Sequence, residues 1–166
     1  GKYTSSTTCG QTAGSAIGCE IQVYDISSST NPIYVAGRDL SGSADGVAWK
    51  QYYSIDTMMV ANNMLYVGIP ASSTPCSQVA GSAAGCELQI YDISSSTNPV
   101  YKAGRDFDGS ASGVNEYYQF TDMAIRSGYL YLTRSATTDS CGQTAGSAVG
   151  CEIQVYDISS STNPVY

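Results

Sequence analysis

The chain has 166 residues, a net charge of −7, no histidine and only 13% charged residues, with 17 glycines, 14 tyrosines and two phenylalanines. With no Lys/Arg cluster, nucleic acid and anionic membrane surfaces are not expected as partners, and no apolar run approaches the ~20 residues of a membrane helix. Tyrosine, small hydroxyl residues and glycine in place of charge indicate β-structure with many turns.

The first stretch of interest is also the one that recurs. Cys9–Tyr34 reads CGQTAGSAIGCEIQVYDISSSTNPIY, Cys76–Tyr101 reads CSQVAGSAAGCELQIYDISSSTNPVY, and Cys141–Tyr166 reads CGQTAGSAVGCEIQVYDISSSTNPVY. The outer two copies differ only at Ile17/Val149 and Ile33/Val165, and their first cysteines lie 132 positions apart. Internal repetition at this period marks a repeat architecture. It divides the chain into residues 1–75 (a partial unit and the start of the next), 76–140 and a partial unit 141–166.

A Ser/Thr-rich lead-in precedes each copy: Thr4, Ser5, Ser6, Thr7 and Thr8; then Ser72, Ser73 and Thr74; then Thr137 and Thr138. Such composition invites O-glycosylation in an exported protein, and a solvated loop is the plain alternative. No N-x-[ST] sequon is present, because Asn31, Asn98 and Asn163 precede proline. The chain carries no signal-peptide pattern, so an exported protein is expected here as its mature form or a fragment.

The cysteines fall in three pairs of equal spacing, Cys9/Cys19, Cys76/Cys86 and Cys141/Cys151. Six cysteines allow fifteen connectivities; repetition favours a local bridge in each copy, worth roughly 2–3 kcal/mol for so short a loop. A zinc site is disfavoured by the lack of histidine and by the spacing. Local disulfides imply an oxidising compartment, outside the cell or at its surface.

A strand is expected after each second cysteine, at Glu20–Ile26, Glu87–Ile93 and Glu152–Ile158. Ile21 and Val23 alternate there with Gln22, Tyr24 and Ile26, and with bulk on both sides both faces are expected to be covered. A Ser-Ser-Ser-Thr-Asn-Pro turn follows, with Pro32, Pro99 and Pro164 opening the next strand. Gly37–Gly46 and Gly104–Gly113 read as glycine-rich acidic loops. Asp106-x-Asp108-Gly109 faintly matches the start of a calcium loop, but the first copy has Asp39-x-Ser41-Gly42 and no bidentate Glu follows. An ordinary loop in which Arg38 or Arg105 meets a neighbouring carboxylate is the favoured reading, and no other cofactor is indicated. Two further strands follow at Thr57–Val60 and Met64–Val67, matched by Asp122–Ile125 and Tyr129–Leu132. They are joined by tight turns at Asn62-Asn63 and Ser127-Gly128, residue types that accept positive φ.

Asp122–Leu132 with Glu87–Tyr101, and Thr57–Val67 with Glu152–Tyr166, show the order D-M-A-I then L-Y-L and L-Q-I-Y-D-I-S then N-P-V-Y. This resembles a β-propeller blade and is similar to the LVIVD-type repeat of bacterial and archaeal surface proteins. The long cysteine-bearing insertion departs from that family's usual ~45-residue blade. The resemblance implies a surface-displayed, repeat-built scaffold and supplies no catalytic residue.

The fold class expected is all-β: tandem four-stranded antiparallel blade-like repeats with disulfide-closed loops, in a propeller or an open array. About two and a half blades cannot close a ring of four to eight. Their outer strands would offer edges for pairing with another chain. Near-identical copies favour a structural filament or surface layer built from identical chains or further repeats, since contacts that do not close produce fibres. The alternative is an adhesive or glycan-binding module, with Trp49, the single tryptophan, as its best contact. Catalysis is not expected: without histidine the Ser–His and Cys–His nucleophiles are excluded. A carboxylate pair for glycoside cleavage stays open, but Asp56 and Asp122 fall in neighbouring rather than equivalent columns, and the acids in equivalent positions (Glu20, Glu87, Glu152; Asp25, Asp92, Asp157) recur as scaffold residues do.

Overall fold

In a computed structural model, the structure describes residues 19, 21–28, 30–38, 55–70, 86–95, 99–105, 120–135, 141, 150–160 and 165. All regular structure among them is β. The strands are β1 (Ile21–Asp25), β2 (Ile33–Arg38), β3 (Thr57–Ala61), β4 (Met64–Gly68), β5 (Leu88–Asp92), β6 (Val100–Arg105), β7 (Phe120–Arg126), β8 (Tyr129–Arg134) and β9 (Ile153–Asp157). They form three antiparallel sheets, ordered β1-β2, β3-β4-β5-β6 and β7-β8-β9. The third sheet is extended by an isolated bridge between Asp157 and Val165.

Local chemistry explains the strand pairs. The β3–β4 turn places both Asn62 and Asn63 at positive φ (50° and 59°), and the β7–β8 turn does the same with Ser127 and Gly128 (52° and 82°). These are the mirror-image turns whose twist suits a two-residue hairpin. In β1–β2 the register slips after Val23, so that Val23 opposes Ala36 while Tyr24 opposes Tyr34. In β5–β6 it slips at the equivalent point, with Ile90 opposite Ala103 and Tyr91 opposite Tyr101. One residue, Val35 or Lys102, is thereby left over as a bulge. Each bulge sets two tyrosines face to edge across the ladder, with ring centroids 5.6 Å apart in both copies.

The sheets do not coincide with the sequence copies. The middle sheet takes β3 and β4 from one unit and β5 and β6 from the next. The chain between β4 and β5 carries the Cys76–Cys86 segment.

Alternation divides each sheet into two faces. We call front the face that carries Ile21 in the first sheet, Met64, Tyr66, Leu88 and Ile90 in the middle one, and Tyr131, Ile153 and Val155 in the third. The back carries Tyr24 in the first sheet, Leu65, Val67 and Tyr91 in the middle one, and Leu130, Leu132 and Tyr156 in the third. One apolar cluster joins Ile21 to Leu65, Val67, Ile69 and Tyr91, so the first sheet's front lies on the middle sheet's back. A larger cluster joins Met64, Tyr66, Leu88, Ile90 and Ala103 to Met123, Leu130, Leu132, Tyr156 and Ile158. The middle sheet's front therefore lies on the third sheet's back. Both junctions have the same polarity. The second is tightened where β3 and β7 run side by side and where the Phe120 amide donates to Asp56 Oδ2 at 3.1 Å.

Coverage of both faces holds for β5 and not for its counterparts. Leu88–Tyr91 are buried without interruption, whereas β9 alternates between exposed and buried and β1 opens to solvent at Tyr24 and Asp25. The reason is position in the stack: among the described residues, only the middle sheet has a sheet on either side. A second difference concerns the glycine-rich segments. Gly37-Arg38 and Gly104-Arg105 belong to strands β2 and β6 rather than to loops.

Candidate functional site

The feature shared by all three copies is a polar clasp built around the second cysteine. The glutamine three residues on turns back to the cysteine carbonyl: Gln22 Nε2 donates to Cys19 O at 3.2 Å, Gln89 to Cys86 O at 3.4 Å and Gln154 to Cys151 O at 3.3 Å. The tyrosine two residues further, on the same face, donates its hydroxyl to the glutamine Oε1. These distances are 2.9 Å from Tyr24, 2.7 Å from Tyr91 and 3.1 Å from Tyr156. In two copies the next strand supplies another tyrosine, placed by the bulge, whose hydroxyl meets the cysteine sulfur. Tyr34 lies 3.6 Å from Cys19 Sγ and Tyr101 lies 3.6 Å from Cys86 Sγ. Gly37 and Gly104 face that sulfur from β2 and β6. Glycine inside a strand here marks a close approach, not a loop. In the third copy Arg134 adds a further bond, its Nε donating to Cys151 O at 2.9 Å.

The sulfurs are oxidised. Cys141 and Cys151 form a disulfide with a Cα–Cα distance of 4.4 Å. Cys19 and Cys86 are also disulfide-bonded, and no described cysteine is free. Gly150, at a φ of 77°, turns the chain into Cys151, a conformation suited to glycine. The positions of Cys9 and Cys76 lie outside the described residues.

Each strand then ends in an aspartate turn. Asp25 Oδ1 accepts from the Ser27 amide at 2.8 Å, Asp92 from Ser94 at 2.9 Å and Asp157 from Ser159 at 2.8 Å. Asp92 also meets Lys102 Nζ at 3.4 Å. Bonds from the serine backbone and side chain hold all three carboxyls below their ordinary value of 3.8. Depressed folded-state values mean that this contribution is present above pH 3.8 and is lost as pH falls below it. We expect a melting temperature that is steady from neutrality to about pH 5 and then declines. The triple variant Asp25→Asn, Asp92→Asn, Asp157→Asn should lose less on acidification than the wild type; a parallel decline in both would show that other carboxyls carry the effect.

Burial pushes Tyr101 up to about 12 and Tyr66 upward, while the Arg105 guanidinium pulls Tyr101 partly back. Burial also lowers Arg105, whose Nη1 donates to the Gly104 carbonyl at 3.0 Å.

The remaining acids divide by copy. Glu87 is buried and Glu152 is exposed. Asp56 serves the Phe120 amide, and Asp122 Oδ1 accepts from the Met123 amide at 2.8 Å. Among the described residues no group of three or more His, Cys, Asp or Glu gathers as a metal site. Trp49, the Ser/Thr lead-ins (Thr4–Thr8, Ser72–Thr74, Thr137 and Thr138), Glu20, and the Asp39 and Asp106–Gly109 segments lie outside the described residues.

Chemically, the clasp is closed upon itself. Its glutamine amide and tyrosine hydroxyl satisfy each other and the backbone, and in two copies the second tyrosine rests on sulfur. The signal for it was present in the recurring C-E-x-Q-x-Y-D and Y-x-A-G-R strings. The glutamine–tyrosine alternation reads there simply as one strand face, and what it bonds to depends on the fold. Compared with protein-family models, curated proteins and solved structures, the chain matches none.

Proposed function

We propose that the chain is a structural, extracellular repeat protein that assembles into a filament or surface layer through identical repeat contacts. The observation that carries this reading is the recurrence of one junction, front of one sheet on back of the next, within a single chain. A unit that meets its neighbour with a fixed polarity propagates, because the contact leaves an unused face at each end. The disulfide supports an oxidising setting, and among the described residues no helix is long and apolar enough to cross a membrane. The aspartates engaged with backbone amides and the self-satisfied clasp fit a scaffold rather than a catalyst. The blade-like order of strands β3 to β6 supports kinship with LVIVD-type propeller repeats. The contact of β3 with β7 is one that the first strands of neighbouring blades would make.

Negative-stain electron microscopy of the oxidised, purified protein across a concentration series tests this reading. Extended particles with a regular axial repeat are expected as concentration rises. Small monodisperse particles at the highest concentration would refute it.

A further inference from the structure

Resting on the assembly reading above, we infer that copies of this chain join face to face. The open front of the third sheet of one copy seats on the open back of the first sheet of the next.

The burial pattern carries this. On the front, Leu88 and Ile90 of the middle sheet are wholly buried, while their third-sheet counterparts Ile153 and Val155 are 67% and 38% exposed. Tyr66 is buried where its counterpart Tyr131 is exposed. On the back, Tyr91 and Tyr156 are buried, while their first-sheet counterpart Tyr24 is 43% exposed. Ile158 is buried against the middle sheet where Ile26 of the first sheet is left open. Each end of the stack thus shows the face that is covered everywhere inside it.

The two open faces are also chemically matched by precedent within the chain. Ile153 and Val155 repeat Ile21 and Val23, and Ile21 already packs on Leu65, Val67 and Tyr91. Gln22, Tyr24 and Ile26 repeat Gln154, Tyr156 and Ile158, and Tyr156 and Ile158 already pack on Leu88 and Ile90. The Gln22–Tyr24 hydrogen bond is made at 2.9 Å before any partner arrives, so this back face is ordered for docking as the buried ones are. A second copy therefore continues, over Gln22, Tyr24 and Ile26, part of an interface the chain already forms twice; the first sheet has no counterpart of β4 or β8, whose Leu65 and Val67, or Leu130 and Leu132, complete the back face inside the stack. The contact is heterologous, with two different patches, and so extends rather than pairing off. Joining along strand edges uses neither patch.

The test blocks one patch at a time. Val155→Lys closes the front and Ile26→Lys closes the back; lysine keeps the net charge from becoming more negative. Both positions are solvent-facing in the single chain, and circular dichroism and thermal melting establish that each variant folds. If Val155→Lys fails to fold, Ile153→Lys replaces it; if Ile26→Lys fails, Tyr24→Lys does. Mass is read by light scattering at a concentration where the wild type assembles. Each variant alone is expected to stay monomeric, and an equimolar mixture to give a 1:1 dimer, because one open back meets one open front. Two blocked variants that remain monomers when mixed would overturn the front-to-back contact. Variants that assemble as the wild type does would overturn the face contact and leave assembly itself standing, with strand edges as its route. A wild type that stays monomeric throughout would overturn both.

Discussion

Alanine at Gly104 is expected to lower the free energy of unfolding by about 3 kcal/mol, at the upper end for overpacking by a single methyl. A Cβ there would sit 2.5 Å from Cys86 Sγ, 2.6 Å from Cys86 Cβ and 2.7 Å from the Tyr101 hydroxyl oxygen. None of these atoms yields cheaply. The sulfur is held in a disulfide, and Tyr101 is set by the bulge and by its edge-on contact with Tyr91. The strand itself would have to move, which strains the β5–β6 ladder and the Ala103 contact with the larger core. Gly37 is enclosed in the same way by Cys19 and Tyr34, so Gly37→Ala should behave alike. Urea denaturation reads the loss. Adding Tyr101→Phe to Gly104→Ala should restore only a part, since the hydroxyl is removed and the sulfur remains. A loss within about 0.5 kcal/mol, the usual range of a surface change, would mean that the clasp is loose.

How much of this was legible beforehand depends on what each residue answers to. The hairpin turns at Asn62-Asn63 and Ser127-Gly128 were readable because positive φ is a property of the residues themselves. The strands were readable for a similar reason: alternation and proline placement are local. Short antiparallel strands in each unit followed from repetition, since β3 and β4 align with β7 and β8, but the grouping of Thr57–Val67 with Glu152–Tyr166 gives way to pairing of β4 with β5, the strand next in the chain. What could not be read was the meaning of a face. Ile90 and Val155 fill one column of one repeat, with nearly the same side chain, and one is buried while the other is open. The difference lies in the neighbouring sheet, which no local pattern encodes.

Gly104 shows the same limit from another side. Within G-R-D-F-D-G it looks like loop glycine, because loops are where glycines gather. Its actual constraint is a sulfur just ahead of the adjacent strand β5, eighteen positions earlier in the chain. The glutamine–tyrosine clasp was likewise visible as a recurring string and invisible as a bonded unit, since Gln89 could have faced water as readily as the Cys86 carbonyl. What commits it is the cysteine carbonyl set three residues before it, since Gln22 makes the same bonds on the first sheet's open back.

Stacking of the sheets can be measured most directly by placing lysine twice in the same column. Ile90→Lys puts an unpaired charge between the middle and third sheets, where Ile90 packs in the larger core. The expected cost is about 4 kcal/mol, that of an uncompensated buried charge. Val155→Lys makes the equivalent change on the third sheet's open front, where the ammonium stays in water, and should cost no more than about 0.5 kcal/mol. Denaturation of both variants is followed at a concentration low enough to keep chains apart. Heavy loss from Ile90→Lys beside near-silence from Val155→Lys is the result expected of a stack whose front is covered inside and bare at its end; equal losses from the two would contradict it.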